Sequence, residues 1–323
     1  MKQMRDPLES LIVTPGGYRR LCYVGESDSD GRWTNGVLRA KEGDISYPVE
    51  DGIPRFHSGD GNGWDDDERR EAQFRQMGVD PEKLIERNYD YMVNQWPEYD
   101  KYVDWIRRIA ATRGPIIEIA VGPGGGATPM VLAENPAAPV VMNDIGLWPL
   151  RQWQKFARRM RTSRRSTDTQ GVSVAQEKQP LPLWPNLGFA QFDATQMPIA
   201  SGSVAAVVSM GGISNIQSQA NTALKEAYRI LRPGGTLYAF ELLPDHKITP
   251  RCPPEMVAIL RQSFPHMETG YRPVLEELGF DPVRIKPMGK RPLVPGEGGL
   301  SDFCIRHEVV MYLWQLRIWA RKG

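Results

Sequence analysis

A glycine-rich turn follows an apolar run and precedes a segment that can form a helix. The run at 116–121 reads IIEIAV and contains Glu118; glycines stand at 122, 124, 125 and 126, and Thr128–Glu134 follows. Glycine lets the backbone approach a ligand closely, and the first turn of a helix offers N–H groups without backbone acceptors. Because such turns also bind dinucleotides and phosphates, the motif alone does not identify the ligand.

Asp144 is the second residue that could contact such a ligand. It ends the strand candidate 139–144, about 20 residues beyond the glycines, where a carboxylate can accept hydrogen bonds from ribose hydroxyls. Two other roles stay open for Asp144: a solvated acid at a strand end, or the N-cap of a helix from Leu147. Asp193 either contacts a ligand or caps the turn before Pro198.

The elements that must position these residues continue along the chain. Further strand candidates lie at 188–192, 203–210, 236–242, 281–286 and 309–320. Between them, Leu147–Met160 and Ala223–Leu231 are predicted helices, and Arg232-Pro233-Gly234-Gly235 stops the second one. Polar segments near 162–187 and 288–307 are predicted insertions.

This ordered series resembles the class I S-adenosylmethionine (SAM) methyltransferases over roughly residues 85–323. The stretch SMGGISNI, followed by ALKEAYRILRPGGTLYAFEL, is similar to the ubiquinone and menaquinone C-methyltransferases and their small-molecule relatives. The resemblance implies an α/β fold: a seven-stranded Rossmann-like sheet with a small N-terminal β-rich module and a helical lid. It also implies SAM as cofactor, S-adenosyl-L-homocysteine as product, and no metal.

The family's glycine motif is matched by Glu118, Gly122 and Gly124, with Ala120 in place of the usual first glycine. Asp144 matches the ribose-binding acid, and Asp193 with Ala194 matches the pair that flanks the adenine. The cofactor-binding residues that the resemblance implies are Glu118, Ala120, Gly122, Gly124, Asp144, Ile145, Asp193, Ala194, Met210 and Tyr89.

Methyl transfer from a sulfonium is an in-line displacement. The protein orients the acceptor, excludes water and, where needed, removes a proton. After the strand at 203–210 the chain lacks the Asn/Asp-Pro-Pro-aromatic tetrapeptide of base amino-group methylation, and it lacks the Pro-Cys pair of a cytosine C5 nucleophile. The resemblance to the small-molecule branch then implies a small organic molecule as the substrate, methylated on oxygen or carbon.

His246 and Glu241 are the candidate catalytic residues. Glu241 ends the strand at 236–242, and His246 follows in the next loop, which faces the acceptor in this family. A histidine titrates near neutral pH and suits the removal of a phenolic or enolic proton. The alternative for His246 is a surface loop histidine. Asp245 and His307 are further candidate bases.

Residues 1–60 are predicted to form the small β-rich module. Its end, YPVEDGIPRF, resembles the close of a zinc-ribbon domain found before certain methyltransferases, but the positions of the paired cysteines read VTPGG and AKEG. Zinc needs those thiolates, so we expect a degenerate ribbon that folds without metal. An unrelated hairpin module is the alternative. The three cysteines, Cys22, Cys252 and Cys304, have no metal-ligand or disulfide spacing.

Residues 61–113 are predicted to be a linker and a helical lid, and 114–323 the methyltransferase domain. The lid is rich in aromatic residues, and such a stripe is commonly core packing. In this family, however, the helices before the first strand often cover the ligands, so Tyr89 or Tyr91 could touch them.

Basic residues are frequent between Arg151 and Arg165. A solvated helix face is the usual reason for such a run, and RNA is the alternative partner. An RNA methyltransferase, similar to the ribosomal RNA guanine methyltransferases, is therefore the alternative function. A SAM-fold protein that transfers no methyl group is a third.

Composition is that of a globular protein. The 323 residues are 41% hydrophobic and 24% charged, with a net charge of +1, which gives no overall attraction to nucleic acid or membrane. No apolar run is long enough to cross a bilayer, and the N-terminus lacks the apolar core of a signal peptide. We expect a cytoplasmic protein without a membrane span, and leave a homodimer open.

Overall fold

Seven strands form one sheet in the computed structural model of the chain, which describes residues 7–16, 19–57, 67–167, 184–245, 252–293 and 299–323. The sheet order is β7-β6-β5-β8-β9-β11-β10, with all pairs from β7 to β9 parallel and with β11 antiparallel to both neighbours. The strands are β5 (Ile116–Ile119), β6 (Val140–Asp144), β7 (Gly188–Gln191), β8 (Val204–Met210), β9 (Leu231–Pro244), β10 (Phe280–Pro292) and β11 (Tyr312–Lys322).

The strand order reverses between β5 and β8, which are hydrogen-bonded neighbours. From β5 the chain builds outward through β6 to β7, then returns to build outward through β8 to β9. Crevices for ligands form at such a switch point, beyond the carboxyl ends of the strands. The predicted α/β, Rossmann-like class I methyltransferase fold with an N-terminal β module is confirmed.

Helices cover both faces of the sheet, as the buried apolar runs of β5, β6 and β8 require. On α7, the buried residues Ala220, Ala223, Leu224, Ala227 and Ile230 follow the helical period and form the face that meets the sheet. The helices are α1 (Asp67–Gln76), α2 (Pro81–Asp90), α3 (Tyr99–Ala110), α4 (Thr128–Glu134), α5 (Leu147–Thr167), α6 (Gly212–Asn215), α7 (Ala220–Ile230), α8 (Pro254–Ser263), α9 (Arg272–Glu277) and α10 (Gly299–Arg306), with a π-helical turn at Tyr91–Gln95.

The N-terminal module is a four-stranded antiparallel sheet beside β7. Its strands are β1 (Leu21–Ser27), β2 (Trp33–Ala40), β3 (Ser46–Glu50) and β4 (Ile53–Pro54). Phe56 N donates to Gln191 O at 2.9 Å, and Glu50 pairs with Arg151 of α5 at 3.2 Å. The module therefore covers the β7 edge of the large sheet.

Several predicted boundaries move in the structure. Within the predicted β-rich module, the segment 11–13 forms no strand and makes only isolated bridges, one of them between Ile12 and Ile199, because its buried side chains join the core of the large domain. The last strand begins at Tyr312 and not at 309, and α5 extends to Thr167. Residues 168–183 of the first predicted insertion lie outside the described residues, whereas much of the second forms the end of β10 and α10.

Within the described ranges, no helix is long and apolar enough to cross a membrane. The same part of the chain holds no group of three or more His, Cys, Asp or Glu side chains arranged to bind a metal ion.

Candidate active site

The glycine-rich turn after β5 has one packed side and one open side. A Cβ on Gly125 would lie 2.2 Å from Trp153, and one on Gly126 would lie 2.1 Å from Glu118. A Cβ on Gly122 or Gly124 would meet no atom within 4 Å. The turn therefore rests on the core through Gly125 and Gly126 and borders open space at Gly122 and Gly124, where a ligand can approach the backbone.

Positive φ angles shape the start of this turn. Ala120 has a φ of +53°, and Gly122 has a φ of +54°. Left-handed backbone is uncommon for a residue with a Cβ and is concentrated at functional sites. The motif predicts that Ala120 lies in this turn, but it does not predict that the backbone there is left-handed. On the neighbouring helix α2, Asn88 donates to the carbonyl of Pro123 at 2.9 Å and so fastens the turn from outside.

Glu118 lies beneath the turn. Its carboxylate is buried and accepts hydrogen bonds from Ala127 N at 2.6 Å, from Thr128 N at 2.7 Å, and from the Thr128 hydroxyl. Burial raises the pKa of Glu118 from its ordinary value of 4.5 to about 7, against the opposing effect of these hydrogen bonds. The structure thus places Glu118 as the acceptor for the first N–H groups of α4.

Asp144 ends β6 on the other side of the crevice. One carboxylate oxygen accepts from Gly122 N at 2.8 Å, and the other accepts from Gly146 N at 2.8 Å. The acid therefore spans the glycine turn and the loop that leads into α5, with Ile145 half-buried in that loop. These contacts bring the predicted Asp144 and Gly122 together.

Asp193 makes the contacts of a turn cap. Its Oδ1 accepts from Thr195 N at 2.8 Å and from the Thr195 hydroxyl at 2.7 Å, while Ala194 is buried beside it. The pair follows β7, whose end is tied to β6 by Asn143: its side chain donates to the carbonyl of Phe192 at 2.9 Å. Sequence reasoning missed Asn143, although an amide inside an apolar strand is a signal for a buried polar contact.

A cavity opens beyond β8 and β9. Its volume is about 730 Å³. It is mostly apolar and begins at Met210, the last residue of β8, and at Gly211. The other lining residues are Ser214, Asn215, Gln217, Phe240, Leu242, Ile259, Ser263, Phe264, Arg291, Leu293 and Leu313. We call this cavity the acceptor chamber.

Glu241 lies next to the acceptor chamber but does not line it. It is fully buried, and it accepts from the Ser209 hydroxyl at 2.6 Å, from Ser214 N at 2.8 Å and from the Ser214 hydroxyl at 2.6 Å. Burial raises the pKa of Glu241, opposed by the hydrogen bonds from Ser209 and Ser214. The structure does not bring Glu241 itself to the chamber, but it brings Ser214 there.

Residues 119–239 match a family whose description is "Methyltransferase domain". The matched segment runs from the end of β5 through β9 and so contains the glycine turn, Asp144 and the loop after β8. The strand order with its antiparallel β11 is the one expected for class I. This part of the chain therefore matches a methyltransferase domain and has the class I strand order.

Solved structures of methyltransferases are similar to the chain at low identity. A Bacillus halodurans C-125 protein described as a methyltransferase is 16% identical over 68% of this chain and 98% of its own, with a TM-score of 0.44. Geranyl diphosphate C-methyltransferase from Streptomyces coelicolor A3(2), solved with S-adenosyl-L-homocysteine, is 12% identical over 69% and 76%, at 0.43. Haemonchus contortus phosphoethanolamine N-methyltransferase 2, solved with SAM, is 13% identical over 86% and 62%, at 0.48.

These likenesses are too distant to carry a substrate or a mechanism to the methyltransferase domain described here. A comparison with curated proteins finds no match.

The remaining predicted site residues lie in different places. Tyr89 is buried in the core, 5.3 Å from Phe156 and 5.7 Å from Trp184 between ring centroids, whereas Tyr91 is 45% exposed. The structure therefore places Tyr89 among the aromatic residues that pack α2 against α5, the role that an aromatic stripe commonly has.

The candidate bases after β9 are also separated. His246 lies outside the described residues. Asp245 forms an ion pair with Lys290, whose Nζ lies 4.1 Å from the ring centroid of Trp314. His307 lies in the turn between α10 and β11. Of the predicted bases in the described ranges, Glu241 is the one connected to the acceptor chamber.

Proposed function

We propose that this chain transfers the methyl group of SAM to a small, largely apolar organic molecule, at oxygen or carbon. The observation that carries the proposal is the position of the acceptor chamber. It opens directly after β8, at the strand end beside β5, where the glycine turn begins. The open side of the glycine turn and a mostly apolar pocket of small-molecule size thus lie at neighbouring strand ends, at the switch point of the sheet.

The residues of the crevice fit the cofactor. Gly122 and Gly124 form a cradle that a Cβ would partly fill, and the start of α4 lies directly behind the turn. We infer that Asp144 accepts hydrogen bonds from the ribose hydroxyls, that Ile145 and Ala194 flank the adenine, and that Met210 borders the reacting group. When bound, SAM supplies an electrophilic methyl group on a sulfonium centre.

The chain's own contribution is to orient the acceptor and exclude water. Phe240, Leu242 and Leu313 give the acceptor chamber an apolar wall that favours the burial of a hydrocarbon or aromatic body. Holding the acceptor oxygen or carbon in line with the methyl group lowers the entropy cost of the transfer step.

Ser214 and Glu241 supply a route for the acceptor proton. We infer that an acceptor O–H donates to Ser214 Oγ, and that the Ser214 proton moves along its 2.6 Å hydrogen bond to Glu241. The acceptor oxygen keeps the electron pair that forms the new C–O bond. Glu241 then acts through Ser214 as a positioning residue and proton store, and its raised pKa makes it a stronger base.

Binding of the cofactor is tested by isothermal titration with SAM and S-adenosyl-L-homocysteine. We expect micromolar-range binding to the full chain, weakened about 10- to 100-fold in Asp144→Asn, since a hydrogen bond to a charged group contributes roughly 1.5–3 kcal/mol. Asp100→Asn, which changes an exposed acid on α3, is the matched control and should bind as the wild type does. Absence of binding to both ligands would refute the proposal.

The acceptor class is tested with SAM labelled in its methyl group. We expect label to move to lipophilic phenols or enolisable carbonyl compounds, and not to the hydrophilic analogues of the same reacting group. Binding of SAM without transfer to any compound of the panel would favour the predicted alternative of a SAM-fold protein that moves no methyl group.

Two arginines of the basic run on which the RNA alternative depends contact the N-terminal module. Arg151 pairs with Glu50, and Arg158 donates to the carbonyl of Asp51 at 2.8 Å, so both guanidiniums bind the N-terminal module. We propose that residues 1–60 serve as a metal-free ribbon-like module docked on residues 114–323. The cytoplasmic location and the homodimer stay predictions.

A further inference from the structure

A groove rich in positive charge runs between α3 and the hairpin of β10 and β11, away from the acceptor chamber. Its volume is about 490 Å³. Five of its lining residues are cations, namely Arg108, Arg272, Arg284, Lys286 and Arg317, and Asp104 is the one acid among the lining residues. We call it the basic groove.

The strand register explains why these charges meet on one face. Lys286 of β10 lies opposite Arg317 of β11, and Arg284 lies opposite Trp319. Directly opposed residues of an antiparallel pair point to the same side of the sheet. On that side α3 contributes Arg108 and packs Trp105 against Tyr238 of β9, with ring centroids 5.9 Å apart. Cations from α3, α9, β10 and β11 thus line one space.

Three of the guanidinium groups are held in place largely by neutral partners. Arg317 donates to the carbonyl of Lys101 at 3.1 Å, and Arg272 donates to the carbonyl of Val283 at 3.0 Å. The guanidinium carbon of Arg284 lies 5.1 Å from the ring centroid of Trp319. Arg272 also pairs with Glu276 at 2.9 Å. Apart from the pair with Glu276, these contacts orient the guanidinium groups without neutralising their charge.

The basic groove has many donors and few acceptors. Within the described ranges, Arg108 and Lys286 make no ion pair. A ligand composed of acceptors with several negative charges would balance the charge and accept hydrogen bonds from these donors.

We propose that the basic groove binds a small organic phosphate with two or three phosphoryl groups, of the nucleoside diphosphate or triphosphate class. Guanidinium forks bind phosphate oxygens two at a time, and the volume is that of a small-molecule site. None of the lining residues lines the acceptor chamber, so this site is separate from the proposed methyl transfer. Its bounded size favours a small ligand over a nucleic-acid strand.

The test is titration calorimetry of the full chain with inorganic pyrophosphate and with ATP, at low and at moderate salt. We expect binding that weakens with salt, because the contacts are ionic. The variant Arg284→Glu/Lys286→Glu should bind both ligands at least about tenfold more weakly. The matched control Arg39→Glu/Lys225→Glu makes the same charge change at exposed residues of β2 and α7 and should bind as the wild type does.

SAM titration and thermal unfolding of both variants give the second readout. We expect wild-type SAM binding and a cooperative unfolding transition in both, with a small loss of stability in the first variant because Arg284 no longer contacts Trp319. Absence of pyrophosphate and ATP binding at low salt would overturn the proposal. So would equal losses in the two variants, which would mean a general effect of net charge. Tighter binding of a single-stranded oligonucleotide than of ATP, lost in the first variant, would overturn it in favour of a nucleic-acid surface.

Discussion

Glu118 and Glu241 are two buried carboxylates in strands of the same sheet, with nearly the same hydrogen bonds. Each is at most 1% exposed and accepts bonds from backbone N–H groups and hydroxyls at the start of the helix that follows the neighbouring loop. For Glu118 the donors belong to Ala127 and Thr128 of the α4 start; for Glu241 they include Ser214 of α6. In both places a strand carboxylate fixes a loop beside the crevice.

The two carboxylates differ in the surroundings of the residues that donate to them. The Glu118 carboxylate packs against Gly126, where the lack of a side chain leaves room for it. The Glu241 carboxylate accepts from Ser214, and Ser214 also lines the acceptor chamber. The same group can therefore serve rigidity in one place and proton transfer in the other, because one donor of the second network also faces the substrate space.

The largest effect is expected from Glu118→Ala. Removal of the carboxylate leaves Ala127 N and Thr128 N buried without acceptors and opens a cavity. The free energy of unfolding should fall by about 3–5 kcal/mol. Urea unfolding followed by circular dichroism measures it, and SAM affinity should fall as the glycine turn loosens. A decrease in unfolding free energy of less than about 1 kcal/mol would contradict the structural role of Glu118.

Glu241→Gln should separate the two carboxylates by function. The amide keeps the volume and loses the base, so the turnover number should fall about 100-fold while SAM affinity changes less than about twofold. In the wild type, activity should rise with pH as Glu241 loses its proton, at a pH above the ordinary range of a glutamate because burial raises its pKa. The variant should show a low rate without that rise.

Glu118→Gln is the control for this prediction. It should weaken SAM binding and stability and leave the pH dependence of turnover intact. A pH profile in Glu241→Gln that matches the wild-type profile would contradict the proton route through Ser214.

Much of this arrangement could be predicted from the chain, because the signals are local. The glycines, the acid at 144 and the helix stop before β9 are each set by backbone requirements that the residue types reveal. The depth of Glu241 could not be predicted in this way. Its burial depends on β11, which pairs Leu316 with Glu241 from 75 residues further on.

Tyr89 illustrates a second limit. An aromatic residue at helical spacing can pack in a core or cover a ligand, and the periodicity is the same in both cases. The choice is made by Phe156 and Trp184, which are distant in sequence and receive the ring. The position of segment 11–13 also depends on a residue distant in sequence, because Ile12 pairs with Ile199 of the large domain.

Gly126 and Gly124 test whether the glycine turn has a packed side at Glu118 and an open side. Gly126→Ala places a Cβ 2.1 Å from the Glu118 carboxylate at a φ of +61°, so the unfolding free energy should fall by about 2–3 kcal/mol. Gly124→Ala places a Cβ where no atom lies within 4 Å, so stability should change by less than about 0.5 kcal/mol while SAM affinity falls. Equal stability losses in the two variants would contradict the assignment of a packed and an open side.

The smallest effect should distinguish the two serines that donate to Glu241. Ser209 and Ser214 both donate hydroxyl hydrogen bonds at 2.6 Å, and replacing either with alanine should cost about 1 kcal/mol of stability. Ser214 belongs to the wall of the acceptor chamber, whereas Ser209 is fully buried. Turnover should therefore fall about tenfold in Ser214→Ala and less than about threefold in Ser209→Ala. Equal losses of turnover would mean that Glu241 acts by holding the loop, as Glu118 does, and that the two carboxylates do the same task.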